Sequence, residues 1–589
     1  MRNEVIISDL AGAVREKDRL ADFSTADRWE VVSYETAAVT GNLLIASEET
    51  MPEPVTIAPE LTGWYRIYVC MADTGGGFPS GHVHLKLTDD PFSRCVGAGN
   101  MGPYCIWHQM EVVEEAFWKC ADMTGQSITI EKIDDNWPHT ANVLWFRFVP
   151  MEEAEIQAHL AGKHHRTMLA HWDGDFHRCD SARSPQDYCK GIYAVQDSDI
   201  GILCQEVMND QIDYSRQNPA YRYRKGWSQH RENYFRALSE NREAVYAEQI
   251  AYAHRHDMQM FAAHRMQLSN FSFPMAQPIF EIPFVREHPE LRCKARDGRY
   301  CGFLSYGYRE VQDFVIGMML ESATQGFDGV EHIWIRGQHL LFEEPVLERF
   351  REKFPDAPDC RRLPAEDPRL MEVRSDIMTD FYRRLRKALQ TYAAEHGTKP
   401  LKVYTTAYFE PETSKKDSLD VERWAAEGLI DGIVQCKAAV WEETDDVLAE
   451  DGMIDLAGYE EKANTRFLYK RHFGNDIARI AAGVPAYRAI ADRYGIDFHS
   501  EIQWESSVPA EEFVKAAKQI YSAGGKGIAL WDTYPARPVH LVEWAASCRL
   551  GEAEAVLAMP DTTGAYHTIH KVLSFGGQDM RYVHPCWRG

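Results

Sequence analysis

The chain has 589 residues, 45% hydrophobic and 26% charged, which is material for two or three domains and excludes a long disordered span. Its 64 Lys and Arg against 89 Asp and Glu give a net charge of −25, which disfavours a phosphate backbone, because holding one takes cationic side chains. Nucleic acid is therefore not expected as a partner. A neutral carbohydrate carries no such penalty, and 15 Trp with 27 Tyr supply stacking faces.

The start, MRNEVIISDLAGAVREKDRL, has acidic residues and lacks the apolar run of a secretory leader, and no later stretch of ~20 apolar residues suits a membrane span. The 13 Cys are scattered singly, as at Cys70, Cys105, Cys204 and Cys436, with no CxxC pair of a zinc or redox motif. The expectation is a cytoplasmic protein with reduced thiols, no cofactor, no metal and no membrane contact; homo-oligomerisation stays open.

The first part reads as strands and turns: GWYRIYVCMA, GHVHLKLTDD, QSITIEKI and NVLWFRFVP, separated by Gly, Pro and Asp. Val83, Leu85 and Leu87 fall on one face and His84 and Lys86 on the other, the pattern of a half-buried antiparallel strand. Residues 1–155 are expected to form an antiparallel β-sandwich, with carbohydrate binding and a purely structural role both open.

From about 165 short apolar runs alternate with longer amphipathic segments, as in parallel strands joined by helices. The strands fall at 167–173, 200–207, 258–265, 329–335, 401–409, 431–440, 496–504 and 527–532. Eight such units predict an α/β fold, a (β/α)8 TIM barrel over 156–549, followed by a C-terminal extension, 550–589, that folds back on either domain. The long connections, roughly 208–238, 266–305, 337–368 and 441–473, all follow strands, which puts them on the C-terminal face where barrels build their sites.

Cleaving a glycosidic bond takes two carboxyl groups, so acids near strand ends are the candidates: Asp173, Asp175, Glu206, Glu331, Glu410, Glu501, Glu505 and Asp532. Glu331, Ile333 and Ile335 share one face of the fourth strand and His332 and Trp334 the other; the apolar run does not say which face is interior. An inward Glu331 would serve as a catalytic acid, and an ion pair with an Arg is the plainer alternative. On the seventh strand Glu501, Gln503 and Glu505 share a face, with Glu505 nearest the mouth beside Trp504, a sugar-stacking surface. A loop acid preceding the next helix is the alternative for Glu505. Glu331 and Glu505 form the preferred pair, with Glu501, Asp173 and Asp532 in reserve.

His171, Asp173, Asp175 and His177 are spaced by two and would line up for a divalent metal on an extended strand, but Gly174 suits a turn, and contacts to sugar hydroxyls or a structural role remain for Asp173 and Asp175. His264 and Arg265 end the third strand and Arg336 the fourth, placed to grip substrate or catalytic acids, with ion-paired scaffolding as the alternative. Glu410, Trp504 and Asp532 complete the substrate-binding candidates. GxSxG, P-loop and HExxH motifs are absent from the sequence.

MLAHWDGDF, FAAHRMQ, GFDGVEHIWIRG, LLFEEPVLERFREKFPDAP and EDPRLMEVRSDIMTDFYRRLRKAL, in that order over roughly 165–545, resemble the glycoside-hydrolase-like barrel proteins related to glycosyl hydrolase family 10. In such relatives the fourth-strand stretch looks like Asp-Gly-Val-Glu-Leu-Asp-Phe-x-Arg, so Glu331 and Arg336 match while Ile333 replaces the Asp. The resemblance implies hydrolysis of glycosidic bonds; the departure at Ile333 weakens any assignment that needs that acid. The rivals are a non-catalytic carbohydrate-binding barrel and a metal-dependent barrel hydrolase or lyase using His171 and Asp173.

Overall fold

Eight of the short apolar runs pair side by side in parallel, and the last closes onto the first. The computed structural model describes residues 3–23, 25, 27–47, 50–72, 81–97, 112–133, 140–161, 165–172, 184–207, 229–266, 283–334, 339–364, 366–436, 473–503, 510–531, 539–540, 544, 547–560 and 567–580. The barrel strands are β1 (Met168–Trp172), β2 (Ile200–Glu206), β3 (Gln259–Arg265), β4 (Gly329–Ile333), β5 (Lys402–Ala407), β6 (Gly432–Gln435), β7 (Asp497–Gln503) and β8 (Ile528–Trp531). Each lies within the run expected from the sequence, and the (β/α)8 architecture is the one observed.

Strand alternation splits the apolar side chains into two populations. Leu169, Ile202, Cys204, Phe261, Ala263, Ile333, Tyr404, Val434, Ala529 and Trp531 form a cluster of their own that fills the barrel. Their neighbours of opposite parity, among them Met168, Leu203, Met260, Val330, Val403, Ile433 and Leu530, belong to the larger core that includes the helix side chains. Two inward positions are glycine for a steric reason: a Cβ at Gly329 would come 2.7 Å from the Phe261 ring, and one at Gly432 would come 2.7 Å from the Tyr404 ring. Large rings on β3 and β5 thus occupy the room that side chains on β4 and β6 would need.

The helix Pro368–His396 shows how the outer layer is set locally. Asp367 accepts from the Arg369 amide, Pro368 takes the first turn, and Gly397 closes the helix at φ 65°. Between these stops Val373, Ile377, Phe381, Leu385 and Leu389 are buried on one face.

Among the described residues the amino-terminal part forms two sheets. A five-stranded sheet contains His82–Leu87, whose Val83, Leu85 and Leu87 are buried while His84 and Lys86 are half-buried, as the alternation predicts. The larger sheet pairs Val5–Ile7, Trp145–Pro150, Trp64–Met71 and Val112–Asp122 in that spatial order. Its next strand comes from the other end of the chain: His567–Phe575 lies between Val112–Asp122 and Trp29–Thr36, antiparallel to both. Val539–His540 also joins the smaller sheet beside Arg94–Gly97. Of the 550–589 extension, 567–575 thus folds back as an internal strand of the sandwich, one of the two placements that the sequence left open.

Val572 is buried in this strand against Tyr34, Val113 and Trp145, while Ile569 is exposed. Val572→Asp is expected to destabilise the fold by about 3 kcal/mol or more, because it buries an unpaired carboxylate, and Ile569→Asp by well under ~1 kcal/mol. Denaturant unfolding of the two variants beside the wild type checks this.

Candidate active site

The question of which face of β4 lines the barrel is settled by register. Glu331 sits between Ala263 of β3 and Tyr404 of β5, both in the interior cluster, so Glu331 and Ile333 point inward. His332 points outward, where its Nδ1 is 3.0 Å from the Tyr382 hydroxyl of the long helix.

Glu331 is fully buried, and its partner is a histidine instead of the arginine considered from sequence. Nδ1 of His171, inward on β1, lies 2.8 Å from Glu331 Oε2. The His171 ring stacks on Trp531 of β8, with centroids 4.0 Å apart and planes at 16°. These contacts fix both the position and the plane of the imidazole, and a donor Nδ1–H suits the carboxylate. Glu331 Oε1 has no nitrogen or oxygen donor within hydrogen-bond distance among the described residues. Beside the pair, the Cys204 thiol is pushed well up by burial and by the Glu331 carboxylate, so it remains protonated.

On β7, Asp497, His499 and Glu501 alternate on the inward side. At the base, the Tyr404 hydroxyl donates to Asp497. Higher, His499 Nε2 lies 3.1 Å from the Thr167 carbonyl, and burial holds this imidazole below its ordinary value. Glu501 is buried and pairs in register with Ala529 of the interior cluster. Glu331 and Glu501 thus project into one lumen from strands three positions apart.

At the C-terminal rim, Arg265 Nε is 2.6 Å from Glu206 Oε1, with both side chains partly exposed. Adjacent residues on a strand point to opposite sides, so His264 cannot share this position. Its Nε2 is 3.0 Å from Ser322 Oγ on the helix Arg309–Thr324, which corrects the expectation that His264 lines the cleft. Glu410 follows β5 as the N-cap residue of the short helix Pro411–Lys416, and its carboxylate accepts from Thr413 Oγ1 at 2.7 Å without a hydrogen bond to the helix amides. Glu505, Trp504, Asp173, Asp175, Asp532 and Arg336 lie outside the described residues, as does His177. Among the described residues no group of three His, Cys, Asp or Glu comes together in a way that could hold a metal ion.

The residue that sequence reasoning did not assign to this constellation is His171 as the partner of Glu331. Its only sequence signal is inward parity on β1, two residues from Leu169.

Burial holds His264 down to about 4 from an ordinary 6.5, so between these values the folded chain binds fewer protons than the unfolded one. Stability from the neutral ring is present above 6.5 and lost as pH falls through 4; His332 and His339 are displaced in the same direction. His264→Gln is expected to lose less stability than wild type on acidification from about pH 7 to pH 4, by up to about 3 kcal/mol. Urea unfolding at both pH values measures the difference.

No family model matches the sequence, and no curated protein matches it. Solved structures give low-level likenesses. The PgaB (BpsB) glycoside hydrolase domain from Bordetella bronchiseptica is 12% identical with a TM-score of 0.39, the alignment covering 67% of this chain and 98% of that one. The α-L-fucosidase isoenzyme 2 from Paenibacillus thiaminolyticus is 11% identical at 0.37, covering 66% and 49%. The α-galactosidase TtGalA from Thermus thermophilus is 11% identical at 0.31, covering 90% and 95%. At these values the likenesses carry no activity across to this chain, and the family-10-like resemblance stays an expectation.

Proposed function

We propose that the chain hydrolyses a glycosidic bond in an oligosaccharide or glycoside that enters from the C-terminal end of the barrel. The observation that supports this is the pair of inward carboxyl groups, Glu331 on β4 and Glu501 on β7, facing one lumen. In such a reaction one carboxyl group protonates the leaving oxygen, and the other attacks the sugar or activates water. Glu505 continues the Glu501 alternation beyond β7 and is the preferred partner of Glu331. Asp173, Asp175, Arg336, Trp504 and Asp532, which follow β1, β4, β7 and β8 in the chain, are proposed to hold the sugar by hydroxyl contacts and stacking.

His171 orders the Glu331 end of this site. Its Nδ1–H satisfies one carboxylate oxygen, and the stacked ring prevents the pair from swinging. A second reading rests on Ile333, an inward apolar side chain one step nearer the rim than the buried Glu331, in the place where the resembling proteins carry an acid. It suits a barrel that binds carbohydrate without cleaving it.

Product release from a panel of aryl glycosides and oligosaccharides, without added metal, tests the first reading. Glu331→Gln and either Glu505→Gln or Glu501→Gln should each lower turnover by roughly 100-fold or more while the fold stays intact. Turnover indifferent to all three substitutions would remove the carboxylate assignment. Sugar binding by calorimetry with no turnover on the panel would establish the second reading.

A further inference from the structure

A second, partly buried polar cluster lies between the C-terminal ends of β4 and β5, around Asp417. The Tyr408 hydroxyl, immediately beyond β5, is 2.8 Å from the carbonyl oxygen of Trp334, immediately beyond β4, and 2.7 Å from Asp417 Oδ2. A phenol has a single proton to donate. The Trp334 carbonyl can only accept, and an ionised carboxylate can only accept as well, so the two short contacts would compete for one hydrogen. They are satisfied together if Asp417 carries a proton and donates to Tyr408 Oη while Tyr408 donates to Trp334.

We propose that Asp417 is kept as a protonated carboxylic acid and that its proton forms a pH-sensitive tie, Asp417 to Tyr408 to Trp334, joining the ends of β4 and β5 beside the barrel mouth. Among the described residues three titratable or charged groups face it. Tyr408 comes from just beyond β5, His339 from the segment after β4, and Arg374 from the long helix. Burial raises the Asp417 carboxyl to about 7, although the Tyr408 hydrogen bond and the Arg374 charge both pull it down. His339 offers no balancing cation: burial holds it down to about 3, and its Nε2 lies 3.3 Å from the Asp417 carbonyl and 3.9 Å from Oδ2. The Asp417 side chain retains 26% of its exposure, which lets the proton exchange with water. Arg374 donates to the Leu341 carbonyl instead of to the carboxyl group.

The folded carboxyl is raised above its ordinary 3.8, so the stability it contributes is present at low pH and lost as pH rises through about 7. This is opposite in direction to the His264 effect. Asp417→Asn retains a donor toward Tyr408 at every pH. Thermal unfolding of wild type should drop between about pH 5.5 and pH 8.5 by a few degrees more than that of Asp417→Asn, and the infrared difference between the two proteins near pH 5.5 should contain a carboxylic acid carbonyl band. Tyr408→Phe, which removes the acceptor of the Asp417 proton, should shift that carboxylic acid band to higher frequency, and it serves if the Asn variant does not fold. Equal losses in wild type and Asp417→Asn, or a difference spectrum without the carboxylic acid band, would overturn the proposal.

Discussion

The hydrogen bond from His171 Nδ1 to Glu331 Oε2 crosses the barrel interior from β1 to β4, and the lumen is organised around it. Glu331 has no exposure, and the inner face around it carries Leu169, Ile202, Phe261, Ile333 and Tyr404. A carboxylate in such surroundings is tolerated only when a partner compensates for the water it has lost. The imidazole supplies that compensation on one oxygen. Trp531 holds the imidazole flat, so the orientation of the acid depends on a residue of β8 that it does not touch through a hydrogen bond. Glu501 enters the same lumen from β7, and the arrangement that supports glycoside cleavage is therefore assembled from β1, β4, β7 and β8 together.

The opposite end of the barrel is built for retention. Asp199 accepts from the His165 amide with one oxygen and from the Gly551 amide with the other, and its own amide donates to the Cys548 carbonyl. The segment leaving the barrel is thereby fastened to the start of β1 and β2 before the chain continues to the sandwich, where 567–575 pairs on both sides. The same C-terminal stretch is consequently fastened to the barrel and supplies a strand to the larger amino-terminal sheet. Fastening at the N-terminal face and polar groups at the C-terminal face match the usual division of labour in such barrels.

The eight barrel strands were readable because each is a short apolar run between Gly-, Pro- or Asp-containing turns, and the long helix because Asp367, Pro368 and Gly397 mark its ends. The facing of β4 was not readable: Glu331 and His332 are adjacent polar residues that are both buried, one against His171 and one against Tyr382, and only register distinguishes them. His264 and Arg265 posed the same choice, and strand alternation alone required that one of them turn away. The contact of His171 with Glu331 joins residues 160 positions apart, beyond any local pattern. The C-terminal strand was not readable because its register shifts between Val572 and Ser574, which breaks the period-two alternation that is clear at Val83, Leu85 and Leu87. Glu505, Trp504, Asp173, Asp175, Arg336 and Asp532 keep their standing as sequence-based candidates.

A double-mutant cycle on unfolding free energy with His171→Phe, Glu331→Leu and the combined variant examines the cross-barrel pair itself. Each single change removes the hydrogen bond while leaving the other polar side chain in the buried lumen and should cost about 3 kcal/mol or more, whereas the double variant replaces both with apolar groups and should cost far less than the sum, a coupling of at least about 2 kcal/mol. Single costs that simply add, within about 0.5 kcal/mol, would contradict the view that this pair organises the lumen.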